Sequence, residues 1–352
     1  MYTELHTPMF IQPEELDQYL DRGWFRMGQM IFTCHILCFN DEVYSTIWMR
    51  LDLENFAFKR TMRKILNRND RLFRVEIGDP FFGGDRQALY EKHKKRFEGY
   101  IPGTLRESLF GLEEDNIYDT REIAVYDGDQ LIAISYFDIG SNSMASIMGL
   151  FDPDYEKYSL GIYTMVKEVE YGMNHQIKYY YPGYVVPGYK KFDYKRRVGE
   201  MDFFDVPSKN WKPYAQLADH NLPSKVIYSK LDELSVAFHQ NNLTFRKLTY
   251  PFFDKEFYGN NTEAFLQAPL ILDCRIVNED HAFYFVEYNL KTQKYHLYRG
   301  RRMFNMIPVL ISSFLERFNP ERSCLDMVQI DYLLIKAENP RDIVNEVLTI
   351  LR

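Results

Sequence analysis

IMGLFDPDYEKYSLGIYTMVKEVEYGMNHQIKYYYPGYVVPGYKKFDYKRR, residues 147–197, decides the reading of this chain. Asp152-Pro153-Asp154 closes an apolar run, and Ser159-Leu160-Gly161 opens a segment in which Ile162, Met165, Val166 and Val169 recur at helical spacing. Ser159 stands where a cap belongs. A helix head offers unpaired N–H groups to an anion, and Gly161 permits close approach. Tyr179, Tyr180, Tyr181 and Tyr184 follow on a strand broken by Pro182-Gly183, with faces for stacking on a base. The plainer reading is a capped helix and an aromatic strand that fill a core.

Working outward, REIAVYDGDQLIAISYFDIG (121–140) places two apolar runs around Asp127-Gly128-Asp129, a hairpin pattern. SMASIMGLFD (143–152) is a third strand, residues 159–176 a helix and KYYYPGYVV (178–186) a fourth strand. A hairpin, a third strand, a helix and a fourth strand is the order of the acyltransferase fold known as GNAT. Upstream, MIFTCHILCF (30–39) and VYSTIWMRLDL (43–53) read as two strands around Asn40-Asp41. KRTMRKILNRN (59–69) reads as a basic helix with Met62, Ile65 and Leu66 on one face. Residues 86–97 read as another helix, with Leu89 and His93 on a shared face. Past residue 213, PLILDCRIV (269–277) and a hairpin over 281–300 restore strand pattern, and helices are expected around 306–318 and 340–351. The expected fold class is α+β: a GNAT-like core of mixed sheet with flanking helices, an N-terminal α/β segment and an additional C-terminal α+β part. The expected divisions are 1–75 with the basic helix, 76–212 as the core and 213–352 as an extension of unknown role.

The 352 residues carry 46% apolar and 26% charged side chains, a globular balance that excludes a mostly disordered chain. No apolar run reaches the roughly 18–20 residues that span a bilayer, and the acidic N-terminus is no signal peptide. A soluble cytoplasmic protein is expected, with no membrane partner. Net charge is −7, yet cations gather at Lys59–Arg74, Lys92–Arg96 and Lys190–Arg197, a pattern that suits either a local phosphate-binding face or solvated helix faces. Cys34 and Cys38 have no second pair nearby, so buried thiols and no metal are expected. G-x-S-x-G, Walker A and G-x-G-x-x-G motifs are absent, which removes the usual support for hydrolase triads, nucleotide hydrolysis and Rossmann chemistry.

The residues Asp152, Pro153, Asp154, Ser159, Leu160, Gly161, Tyr163, Tyr179, Tyr181, Gly183, Tyr184, Gly188, Tyr194 and Lys195 together resemble the C-terminal signature of the arginyl-tRNA–protein transferases and their bacterial leucyl relatives. The basic helix resembles that family's Arg-rich helix, ending in Arg68-Asn69. The resemblance runs over about residues 22–200. It departs at the N-terminal cysteine pairs, where only Cys34 and Cys38 stand, and at Pro182, and residues 213–352 have no counterpart in it.

The resemblance implies that the α-amine of an acceptor protein attacks the aminoacyl ester of aminoacyl-tRNA, most simply arginyl-tRNA. No covalent nucleophile and no cofactor are required. It implies that Ser159, Leu160 and Gly161 with Tyr181 and Tyr184 hold the tRNA 3′ end, that Arg60, Arg63, Arg68, Arg196 and Arg197 hold phosphates, and that Lys191 and Lys195 receive the acceptor. Asp152 and Tyr194 are the candidate proton acceptors. Two alternatives stand beside this: a GNAT enzyme with an acyl-CoA donor, whose usual Q/R-x-x-G-x-G/A loop YSLGIY lacks, and a non-catalytic interaction protein that keeps the fold.

Overall fold

The computed structural model describes residues 2–39, 41–96, 101–113, 115–254, 264–276, 282–303 and 316–352. Two compact units divide the chain. One comprises Leu5–Thr33 and Ile47–Leu217; the other comprises Met1–Glu4, Cys34–Thr46 and Ala218–Arg352. They cut the chain differently from the stretches 1–75, 76–212 and 213–352.

The first unit is built on an eight-stranded sheet. In chain order its strands are β1 (Ile47–Asp52), β2 (Arg74–Gly78), β3 (Thr120–Asp127), β4 (Gln130–Ile139), β5 (Ser143–Phe151), β6 (Tyr179–Val185), β7 (Asp202–Asp205) and β8 (Asn210–Pro213). Across the sheet they lie β8-β7-β1-β6-β5-β4-β3-β2. β3 and β4 form the expected hairpin, and Gly128 takes the positive φ its turn demands. The helices of this unit are α1 (Pro13–Asp21), α2 (Arg60–Asp70), α3 (Gly84–Lys94), α4 (Leu105–Phe110) and α5 (Leu160–Asn174). α5 crosses from β5 to β6, and these two strands form the parallel pair of an otherwise antiparallel sheet. Ile162, Met165, Val166 and Val169 are all buried, as their spacing predicts. On another part of the core, Leu89 of α3 and Leu105, Leu109 and Phe110 of α4 pack with Ile134, Tyr136 and Leu150.

β5 and β6 pair only from Ser143↔Tyr179 to Ala145↔Tyr181 and then part. The cause is local. Pro182 has no N–H to give, Gly183 turns to φ +85°, and β6 bulges against β1 between Tyr180 and Gly183. β5 bulges at Ser146–Met148. The interruption legible at Pro182-Gly183 therefore opens the sheet beside α5.

Among the described residues the second unit's larger sheet has five antiparallel strands in the order β9 (Arg246–Thr249), β10 (Leu270–Asp273), β11 (Phe283–Asn289), β12 (Lys294–Met303) and β13 (Met327–Ala337). The unit's helices are α6 (Pro223–Gln240) and α7 (Pro340–Ile350). Its core gathers Ile227, Leu231 and Phe238 of α6, Val344 and Val347 of α7, and Leu272, Val286 and Leu297 of the sheet. A hairpin of Ile36–Phe39 and Glu42–Ser45 supplies Ile36, Cys38 and Val43 to the same core. Ser45 Oγ lies 2.8 Å from Ser224 Oγ, and the Tyr228 hydroxyl accepts from Val43 N–H at 3.2 Å.

This corrects the two unbroken strands expected at 30–39 and 43–53. Each breaks, at His35 and at Thr46, and the middle portion joins the other unit. Within the described part of the strand expected at 269–277 the strand runs Leu270–Asp273, and the helix expected at 86–97 spans Gly84–Lys94. Phe97, Asn40 and most of the helix expected at 306–318 lie outside the described residues.

Candidate active site

Ser159 stands in the left-handed conformation at φ 57°, ψ 44°, and its side chain makes no capping bond. Ile162 and Tyr163 N–H both donate to Ser159 O, which leaves the Leu160 and Gly161 N–H groups at the head of α5. A left-handed serine costs energy unless its surroundings hold it. Here they do so from both sides.

From α2, Arg68 donates to the carbonyls of Tyr158 (2.5 Å) and Lys157 (3.4 Å), and the buried Asn69 amide donates to Tyr158 O at 3.0 Å. The Tyr163 hydroxyl donates to Asp70 at 2.6 Å, and Lys167 lies 3.6 Å from the same carboxylate. From α3, Lys92 donates to Asp152 Oδ2 at 2.7 Å, and just beyond that helix Arg96 reaches Glu156 at 3.6 Å. His93 Nδ1 sits 3.0 Å from Phe151 O, and burial pulls its pKa down. The clusters at 59–74 and 92–96 thus contribute cations that fasten the 152–159 turn.

Several residues singled out in the sequence also make structural contacts. Asp152 is buried, with one oxygen on Lys92 and the other accepting from Asp154 N–H at 3.1 Å, so it caps the turn. Arg68 is exposed and donates to the Tyr158 and Lys157 carbonyls. Tyr181 is buried edge-on to Trp211 at 5.5 Å, next to Arg50, which leaves no open face for a base. Tyr184 is half-buried, edge-on to Trp48 and tilted on Phe192. A Cβ at Gly161 would meet the Phe151 ring at 3.3 Å, so the glycine also serves close packing.

Arg60, Arg63 and Arg197 are exposed. Arg196 pairs with Asp193 at 3.1 Å and lies over the Tyr214 ring. Lys191 is exposed near the Tyr189 ring. Lys195 donates to Tyr184 O at 3.1 Å, and burial pulls its pKa down to about 8. Tyr194 is 43% exposed.

One group escaped the sequence reading. Glu168, two turns along α5 from Gly161, is wholly buried, and the Tyr180 hydroxyl donates to its Oε2 at 2.8 Å. Burial pushes this carboxyl up to about 7. The available signal was an acid on the buried side of α5, flanked by Met165 and Val169. Among the described residues no three His, Cys, Asp or Glu side chains gather as a metal site; Cys34 and Cys38 are buried.

A hairpin and third strand, a crossover helix whose head stands beside two parting parallel strands, and a fourth strand make up the GNAT-like order expected from the sequence. Residues 85–205 match the family model described as arginine-tRNA-protein transferase, C terminus, so the resemblance drawn from Asp152 to Lys195 is borne out. The chain is 24% identical over 195 residues to an aspartate/glutamate leucyltransferase of Leptospira interrogans, covering 54% of this chain and 74% of that one. It is 27% identical over 190 residues to the enzyme so named in Campylobacter jejuni, covering 52% and 77%. Among solved structures, FemX superposes with a TM-score of 0.33 at 10% identity over 50% of this chain and 61% of that one. L-PGS from Bacillus licheniformis gives 0.32 at 11% over 40% and 48%. No described helix is long and apolar enough to cross a membrane.

Proposed function

We propose that the chain transfers an amino acid from aminoacyl-tRNA to the N-terminal α-amine of an acceptor protein. The observation that carries this reading is the head of α5, fastened by α2 and α3 beside the parting of β5 and β6, within the stretch that matches the transferase family. The ester is already activated, so alignment, proton removal and oxyanion stabilisation suffice. The amine nitrogen bonds to the ester carbonyl carbon, and the bond to the tRNA 3′ oxygen breaks.

In this reading Leu160 and Gly161 N–H, with the Ser159 hydroxyl, hold the terminal phosphate. Tyr184 flanks the terminal adenosine. Arg60, Arg63, Arg196 and Arg197 hold the acceptor stem through phosphates, and Lys191 and Lys195 receive an acidic acceptor terminus. Residues 76–212 form the transferase core, 1–75 supply the basic helix, and 213–352 have a separate role. Arginine is the proposed amino acid, supported by the family match. Leucine is the second reading, favoured by the names of the relatives.

Incubation of the purified chain with radiolabelled arginyl-tRNA, leucyl-tRNA or acetyl-CoA, and peptides starting with Asp, Glu, Lys or Arg, tests this. Label from an aminoacyl-tRNA on an acidic peptide is expected. Label from acetyl-CoA alone would replace the reading with acyl-CoA chemistry, and no transfer at all would favour a binding protein.

A further inference from the structure

Four charged side chains gather at one corner of the five-stranded sheet, on the face turned away from α6. Lys247 of β9 pairs with Asp232 of α6, and its cross-strand neighbours Leu272 and Val286 fill the core on that side. Arg246 therefore stands on the opposite face, because successive strand residues alternate. The register sets Asp273 directly across from Arg246, and Phe285 across from Asp273. Arg302 of β12 comes over the Phe283 ring at 4.2 Å and reaches Asp273 Oδ2 at 3.4 Å. Arg275 reaches the same oxygen at 3.9 Å.

Three guanidinium groups thus surround one buried carboxylate. Among the described residues Asp273 is the one acid within ion-pair distance of Arg275 and Arg302, and Arg246 has no ion pair. Three cations against one anion leave two positive charges in excess. The Nε atoms of Arg246 and Arg302 are moreover buried, and neither makes a hydrogen bond. A buried N–H without an acceptor is costly, and two of them at one corner call for an anion with several acceptor oxygens. The ring of Phe283 fixes the plane of the Arg302 guanidinium, so the direction of its N–H groups is set before a ligand arrives.

We propose that Arg246, Arg275 and Arg302 bind a phosphate group, with Asp273 holding two of the three in place. A carboxylate ligand would cancel one of the two excess charges. A phosphomonoester carries about −1.5 to −2 near neutral pH and three strong acceptor oxygens, which matches both the charge and the unused N–H groups. Guanidinium edges suit phosphate oxygens, which they bind in pairs. Free phosphate and the phosphate of a nucleotide share this chemistry. The site gives the unit that contains residues 218–352 a ligand of its own, and it does not depend on the transferase reading.

The test is a titration of the whole chain, carrying 15N-labelled arginine, with inorganic phosphate and with 5′-AMP at constant ionic strength. The Nε–H resonances of Arg246 and Arg302 are expected to shift and saturate. Arg246→Gln breaks no ion pair, so its melt should be unchanged, while phosphate affinity read at the Arg302 resonance should fall about tenfold. Arg302→Gln, read at Arg246, should do the same. Equal affinities support a site for phosphate alone, and tighter binding of 5′-AMP supports a nucleotide site. Shifts no larger than sodium chloride produces overturn the proposal, as does an Arg246→Gln titration identical to that of the unaltered chain. If Arg302→Gln fails to fold, Arg246→Gln decides. Phosphate bound at the head of α5 would leave both resonances unmoved, so the two sites are read separately.

Discussion

Burial without a cation fixes how Glu168 links stability to pH. Its folded carboxyl holds a proton up to about pH 7, against an ordinary 4.5. Between those values the folded chain binds the extra proton, so stability falls as pH rises and the loss is complete above 7. Thermal melts across that range should show this decline, up to about 3 kcal/mol. Glu168→Gln should flatten it and melt higher than the unaltered chain above pH 7. Arg68 and Asn69 carry a second prediction. Asn69→Ala leaves Tyr158 O short of a donor and should destabilise by about 1–3 kcal/mol. Arg68→Ala should raise the aminoacyl-tRNA KM while leaving the salt dependence of binding unchanged if its guanidinium acts through the carbonyls it holds. These roles were hidden for a physical reason. The Arg68–Tyr158 bond joins residues 90 apart, and no local pattern reports which carbonyl a cation will find. Glu168 was in plain view on the buried side of α5, but a reading that counts apolar positions passes over an acid among them.

At the scale of elements, the two ends of α2 differ. Its C-terminal end grips the turn, and Arg60 and Arg63 remain exposed. The double variant Arg60→Ala/Arg63→Ala should reduce the slope of log binding constant against log salt by about 2, since each phosphate contact contributes about one, with little change in the melt. The head of α5 invites a smaller change. Gly161→Ala gains up to about 1 kcal/mol of helix preference, offset by a 3.3 Å approach to Phe151. If the proposed donor site is right, the melt should stay nearly level while transfer drops about tenfold or more, through crowding at the head of α5. A lowered melt with normal transfer would assign Gly161 to packing alone. Strands and helices of this core were legible because β3–β4, β5, α5 and β6 each fold on their own periodicity. The stretches 30–39 and 43–53 misled because their apolar residues are buried in two different cores, and periodicity cannot say which core a strand fills.

At the scale of the whole molecule, the hairpin at Ile36–Ser45, although early in the chain, belongs to the unit completed by residues 218–352. A chain cut after Leu217 should therefore present Ile36, Cys38 and Val43 to water. Increased binding of a hydrophobic dye and sedimentation as aggregates are expected. Ile36→Ser/Val43→Ser in the same shortened chain should reverse both, and a monomeric, dye-silent shortened chain would count against the hairpin's place in that core. The hairpin also sets a timetable. Ile36 leaves the ribosome about 190 residues ahead of Ile227, and at about 5–20 residues per second that gap lasts roughly ten to forty seconds. Throughout that interval the apolar hairpin lacks its α6 neighbour, so each new chain carries an uncovered apolar edge that its final shape no longer shows.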